Sequence, residues 1–167
     1  IFGDDGSASS DLWSLDLSNK EWSKISTGAE KPNGRYSHTA LVYNKKIILF
    51  GGANNSGQLN DTWSLDLTQT PPTWSQIHDG SGASPSGRLR HASLISENEM
   101  FVFGGANDSG SLKDLWKFDL DTKTWVQVDD GSGGGPGGKQ GIRLTPVDNS
   151  MHMFGGSDSR LWKRPFR

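Results

Sequence analysis

The chain has 167 residues, of which 32% are hydrophobic and 22% charged, with a formal net charge of −2. That balance supplies no general reason to bind nucleic acid or a membrane surface, and no apolar run approaches the ~18 residues of a membrane span. Cysteine is absent, which excludes disulfides and thiol chemistry and favours a reducing compartment, so a cytoplasmic location is expected. Asn-x-Ser/Thr triplets beginning at Asn54, Asn60 and Asn107 leave secretion open.

Taken in chain order, residues 1–31 read as a partial unit: Phe2-Gly3-Asp4 opens it, and Trp13 and Trp22 follow. Residues 32–84 read as a complete one with four strands. His38 to Tyr43 predicts the first. Lys46 to Phe50 predicts the second, apolar on both faces as a strand between two neighbouring sheets would be. Asp61 to Leu67 predicts the third, with Trp63, Leu65 and Leu67 on one side and Thr62, Ser64 and Asp66 on the other. Trp74 to Ile77 predicts the fourth. Residues 85–136 repeat the plan, with Met100-Phe101-Val102-Phe103 as second strand, Trp116, Phe118 and Leu120 on one face of the third, and Trp125 and Val128 in the fourth. Residues 137–167 read as a partial, divergent unit.

The markers behind this division recur at a fixed period. Phe50-Gly51-Gly52, Phe103-Gly104-Gly105 and Phe154-Gly155-Gly156 follow Phe2 at intervals of 48, 53 and 51 residues, and Trp13, Trp63, Trp116 and Trp162 advance by 50, 53 and 46. Gly34-Arg35-Tyr36-Ser37-His38 realigns on Gly87-Arg88-Leu89-Arg90-His91, each arginine 15 positions before its phenylalanine. A period near ~50 is the kelch spacing, and the chain resembles the kelch repeat family from end to end. The last unit departs from it: Lys139 stands in the arginine slot, Ile142 in the histidine slot, and Gly131 to Gly138 is almost all glycine.

A four-stranded sheet that is apolar on both faces must be covered on both, and radial stacking supplies the cover. The expected fold is therefore all-β, a kelch-type β-propeller fragment of about three and a half four-stranded antiparallel blades. The paired tryptophans are expected to join blades, since burying one removes ~200 Å² from water. The glycine pairs are expected to turn with positive φ and to admit a neighbouring backbone. Propellers close with ~4 to 8 blades, so the remaining blades are expected from a longer parent chain or another copy.

For chemistry, the four histidines do not cluster, and no carboxylate or histidine spacing suits a metal. His38 and His91 are expected to bond within their strand or to the neighbouring arginine. Asp79-Gly80-Ser81-Gly82 and Asp130-Gly131-Ser132-Gly133 lack the alternating carboxylates of a calcium loop and read as turns. Some kelch-type propellers are enzymes, but a galactose-oxidase-like site needs a cysteine joined to a tyrosine, and this chain has tyrosine only at Tyr36 and Tyr43. No catalytic residue, metal or cofactor is assigned; the alternative is an enzyme of the kelch propeller class, oxidase-like or sugar epimerase/lyase-like, whose active residues lie outside this chain. The resemblance implies a non-catalytic interaction scaffold or adaptor, with a protein or peptide held on the rim where second-to-third-strand loops and blade-linking loops emerge together. Candidate contacts are Asn54, Asn55 and Gln58 on one such loop, Asn107 and Asp108 on the next, and Arg35, Arg88 and Arg90, which could grip acidic groups bidentately. Arg35 and Arg88 fill a repeated slot, so a structural role competes; Arg90 replaces Ser37 and breaks the repeat. The basic residues Arg160, Lys163, Arg164 and Arg167 oppose Asp4, Asp5 and Asp11 at the other end and read as a solvated charge run, with an acidic partner as the other reading.

Overall fold

The computed structural model describes residues 8–148, 150–156 and 162–165, and of Trp162 the backbone alone. Phe2-Gly3-Asp4, Asp5, Arg160 and Arg167 lie outside the described residues. Among the described residues every regular element is a strand. The first sheet holds β1 (Leu12–Leu15) and β2 (Trp22–Ile25), and the second holds β3 (Thr39–Tyr43), β4 (Lys46–Phe50), β7 (Thr62–Asp66) and β8 (Thr73–His78) in that order. Between β4 and β7 the two-residue strands β5 (Ala53–Asn54) and β6 (Gly57–Gln58) make a small hairpin. The third sheet repeats this plan with β9 (Ala92–Ser96), β10 (Glu99–Phe103), β13 (Leu115–Asp119) and β14 (Thr124–Asp129), and its hairpin is β11 (Ala106–Asn107) with β12 (Gly110–Ser111). The last sheet has three strands, β15 (Ile142–Val147), β16 (Ser150–Gly155) and β17 (Trp162–Pro165). All pairings are antiparallel. The second and third sheets even share a register shift at the same place, between Thr62 and Trp63 and between Leu115 and Trp116.

The sheets are blades of a β-propeller. First strands of successive sheets approach one another, β3 to β9 and β9 to β15, which puts them at the axis. Side chains alternate along β4, so its two faces meet two different neighbours. Ile48 and Phe50 pack against Met100, Val102, Phe118 and Trp125 of the third blade, whereas Leu49, with Leu65 and Trp74 of its own blade, packs against Leu12 of the first. Phe101 and Phe103 then face Met151, Met153 and Ile142 of the last blade. The core is thus three slabs between sheets. At up to ~5 kcal/mol for a fully buried tryptophan by area, Trp74 and Trp125, each at most 5% exposed, are leading contributors.

The glycine pairs do what the spacing requires. Gly104 and Gly105 have φ of 62° and 90°, and a Cβ on Gly105 would sit 2.7 Å from the Leu89 carbonyl oxygen, far inside contact distance. Three expectations need correction. Among the described residues Trp13 and Trp22 do not join blades: they are 39% and 50% exposed, and no described sheet covers the face that carries them. Leu67 lies beyond the end of β7 and is 44% exposed, since the strand's pairing stops at Asp66. The expectation for His91 is incomplete: its Nε2 also meets Thr39 Oγ1 of the preceding blade at 2.9 Å.

Candidate functional site

The rim is built on two buried clamps. Arg35 stands where the chain enters the second blade; its guanidinium bonds both oxygens of Asp61 at 2.6 and 2.8 Å and donates to the Gly51 carbonyl at 3.0 Å. The Trp63 indole N–H donates to the same carboxylate at 2.7 Å. Arg88, Asp114, Gly104 and Trp116 repeat the arrangement at 2.8, 2.8, 3.0 and 2.7 Å. Burial pushes the carboxyls of Asp61 and Asp114 up, but the arginine bonds outweigh it and hold both below the usual carboxylate range. Backbone bonds tie the clamp to the blade before it: Arg88 N donates to Leu59 O, and Gly52 N to Arg88 O. Both arginine side chains are 0% exposed, so a partner on the rim meets neither guanidinium. The rim assignment of Arg35 and Arg88 gives way to the structural role that competed with it.

Two residues past each clamp the chain turns a corner. Ser37 and Arg90 are both left-handed at φ 54°, and Gly141 matches them at 67°. The corners are chained along the axis: Arg90 N donates to Ser37 O at 3.1 Å, and Gly141 N to Arg90 O at 2.9 Å. The backbone alone fixes this line, leaving the Arg90 side chain exposed. His38 and His91, one residue on, are held neutral: burial and then the adjacent arginine lower the first to about 4 and the second to about 3.

Around the corners stand the hairpins, and each is stiffened by an asparagine that accepts from the backbone two residues on, Ser56 N to Asn54 Oδ1 at 2.8 Å and Ser109 N to Asn107 Oδ1 at 2.9 Å. Neighbouring hairpins touch, since Gln58 Nε2 donates to Asp108 Oδ1 at 3.0 Å. The linking loops join the same rim: Asn107 Nδ2 donates to Ser86 Oγ at 3.3 Å, and Gln140 Nε2 to Ser111 Oγ at 3.3 Å. Thus Asn54, Asn55, Gln58, Asn107 and Asp108 share one polar crown, with Asn55 and Asp108 exposed at its tips. Sequence reasoning missed Ser86, Ser111 and Gln140, and it missed Asp61 and Asp114 as arginine partners, although each aspartate follows its arginine by 26 positions. Asp79 and Asp130 make turns by accepting from Ser81 N and Ser132 N. Among the described residues no group of three histidine, aspartate or glutamate side chains could hold a metal, and no helix is long and apolar enough to cross a membrane.

Radially stacked four-stranded sheets, clamped at repeated Arg/Asp-x-Trp positions and crowned by polar hairpins, define a repeat propeller with its loops gathered at one rim. Residues 1–162 match the kelch-repeats domain model of the KLHDC2/KLHL20/DRC7 group, and the chain belongs to the kelch repeat family. It is 26% identical over 153 residues to leucine-zipper-like transcriptional regulator 1 of Homo sapiens, covering 88% of this chain and 18% of that protein. It is 32% identical over 151 residues to acyl-CoA-binding domain-containing protein 6 of Oryza sativa (84% and 23%) and 34% identical over 119 residues to Adagio protein 3 of Arabidopsis thaliana (68% and 19%). The chain therefore spans less than a quarter of the length of these relatives.

Proposed function

We propose that this chain is a non-catalytic interaction module, a scaffold or adaptor surface that holds a protein or peptide on its rim. Arg90 carries the reading. It sits at a corner whose backbone is bonded on both sides, it is exposed, and its two repeat counterparts are a serine and a glycine. An exposed guanidinium on a rigid mount suits bidentate capture of a carboxylate, and the exposed polar tips Asn55 and Asp108, with Gln58 and Asn107 behind them, supply the hydrogen-bonding collar of such an interface. Membership of a family of repeat propellers, with relatives of which the chain covers only 18% and 23%, supports a role as one module among several.

The test uses a partner captured by the wild-type chain. Arg90→Ala is expected to weaken its affinity about tenfold or more, the loss of an interface arginine anchor, with an unchanged thermal midpoint. Unaltered affinity in both Arg90→Ala and the Gln58→Ala/Asn107→Ala double variant would remove the rim from consideration.

A further inference from the structure

At the end of the blades opposite the rim, the contact between the second and third blades opens into a cavity of about 380 Å³, towards the lower end of the ~300–1,000 Å³ of small-molecule sites. Its walls come from all four strands of the second blade and from the turn between β13 and β14 of the third, so both sheets that form it are complete. One row of the ladder explains it. Across the second blade that row reads Leu41, Ile48, Ser64, Ser75, and across the third it reads Leu94, Phe101, Lys117, Val126. Lys117 fills its place and pairs with Glu99 at 2.6 Å. The second blade has Ser64 there, and Lys46 in the glutamate's place approaches Asp66 only to 3.8 Å. Ile48, Ser64 and Ser75 are each smaller than their counterparts, and the volume they give up is the cavity.

The lining has a definite chemistry. Ile48 and Ser64 are buried, with Ile77 and Leu120 half-buried beside them, while Lys46, Thr73, Ser75, Asp121 and Lys123 stand exposed at the mouth. Among the described residues the hydroxyls of Tyr43, Ser64, Thr73 and Ser75 make no hydrogen bond, and the Lys123 ammonium makes no ion pair. A buried hydroxyl without a partner favours a ligand that supplies one. Lys46 and Lys123 are balanced by Asp66 and Asp121, so the walls carry no net charge. We propose that this cleft binds a neutral polyhydroxylated ligand, a mono- or disaccharide, that rests its C–H face on the aliphatic floor and bonds the polar groups around it. Carboxylates only accept, ammoniums only donate and hydroxyls do both, and a polyol answers all three at successive positions. An anion such as phosphate would meet the two aspartates and is disfavoured.

The full chain, labelled with ¹⁵N, is titrated with maltose, cellobiose and lactose, and backbone amide shifts are followed. A saturable shift centred on Ser64, Ser75 and Lys123 is expected with at least one of them, half-complete by about 1 mM, and none with inorganic phosphate. Lys46→Glu/Ser64→Lys/Ser75→Val, which transplants the filling of the third blade, is expected to weaken binding at least tenfold. Ser64→Ala/Ser75→Ala keeps the space and removes two hydroxyls; it is expected to weaken binding too, and it serves if the transplant does not fold. A serine peptide carrying the bound disaccharide separates the two sources: equal affinity supports a free sugar, and tighter binding supports a sugar borne by a partner. No saturation by any of the three sugars, shifts that survive in both variants, or a response to phosphate in their place would overturn the proposal. Arg90→Ala is expected to leave sugar binding unchanged, which separates this site from the rim.

Discussion

The contact between the second and third blades and the contact between the third and last blades occupy the same places in the repeat and are made of different matter. In the first, His78 meets Phe118 edge-on at 5.9 Å, and the tilted ring of Trp125 packs against both Phe118 and Phe50. In the second, the counterpart of His78 is Asp129 and that of Phe118 is Arg164, and the two form an ion pair; the bond from Arg164 holds the Asp129 carboxyl below its usual range. Linking loops differ in step. Asn60 bonds the carbonyls of Gly80 and Pro85, and Ser84 bonds Gly80, closing the loop onto the blades; Lys113 and Gly135 stand at the places of Asn60 and Ser84. The propeller scaffold tolerates either an aromatic filling or a charged one while the backbone bonds of the entrance and corner are kept, Lys139 N to Leu112 O and Gly141 N to Arg90 O in the last blade. The aromatic filling packs closely around Trp125, whereas a cavity of about 150 Å³ remains beside the ion pair.

The largest expected effect removes the aromatic filling. Trp125→Ala is expected to cost about 3–5 kcal/mol, the range for a large core side chain, read as a fall in the denaturant midpoint; a cost under about 1 kcal/mol would mean that the stack does not hold the blades together. Next is the clamp. Asp114→Ala is expected to cost about 3 kcal/mol because it strands the buried Arg88 charge, with chemical denaturation as the measure.

Acid sharpens the comparison, since both neutral histidines sit at clamped entrances. Their folded values, about 4 and about 3, lie below the 6.5 of the unfolded chain, so the unfolded state takes up protons first. Stability is expected to be full above pH 6.5 and to fall as pH drops from there towards 4 and 3, by up to about 1.4 kcal/mol per pH unit for each proton. A His38→Asn/His91→Asn variant is expected to flatten that slope in pH-dependent unfolding. The smallest effect belongs to the charged filling. Arg164 and Asp129 are 45% and 28% exposed, so Arg164→Ala is expected to cost less than about 1 kcal/mol, and less still at 1 M salt. A salt-independent loss larger than that of Trp125→Ala would reverse the ranking of the two contacts.

Much of this fold is legible in residue spacing. The second strand at Lys46–Phe50 follows from an apolar run bounded by Asn44-Lys45 and the glycine pair, and the third from strict alternation around Trp63 and Leu65. What escapes is any property that depends on a second element. The exposure of Trp13 and Trp22 is set by what faces their sheet, not by their own strands. The Arg35–Asp61 pair joins positions 26 apart through a fold that no local period reveals, and the His91–Thr39 bond crosses blades. On the rim, Arg90 stands out in the sequence because it breaks the repeat, whereas Gln140 and Ser86 carry no such mark and are found by contact with the hairpins.

The chained corners at Ser37, Arg90 and Gly141 have one more consequence. Because peptide groups make every link in that chain, a residue there can be exchanged without rebuilding the sheets, subject to the modest cost of a left-handed turn for a residue with a Cβ. Serine, arginine and glycine have already taken the post in a single polypeptide. A propeller of this design can acquire or lose a charged finger at that corner one codon at a time, while the architecture stays put.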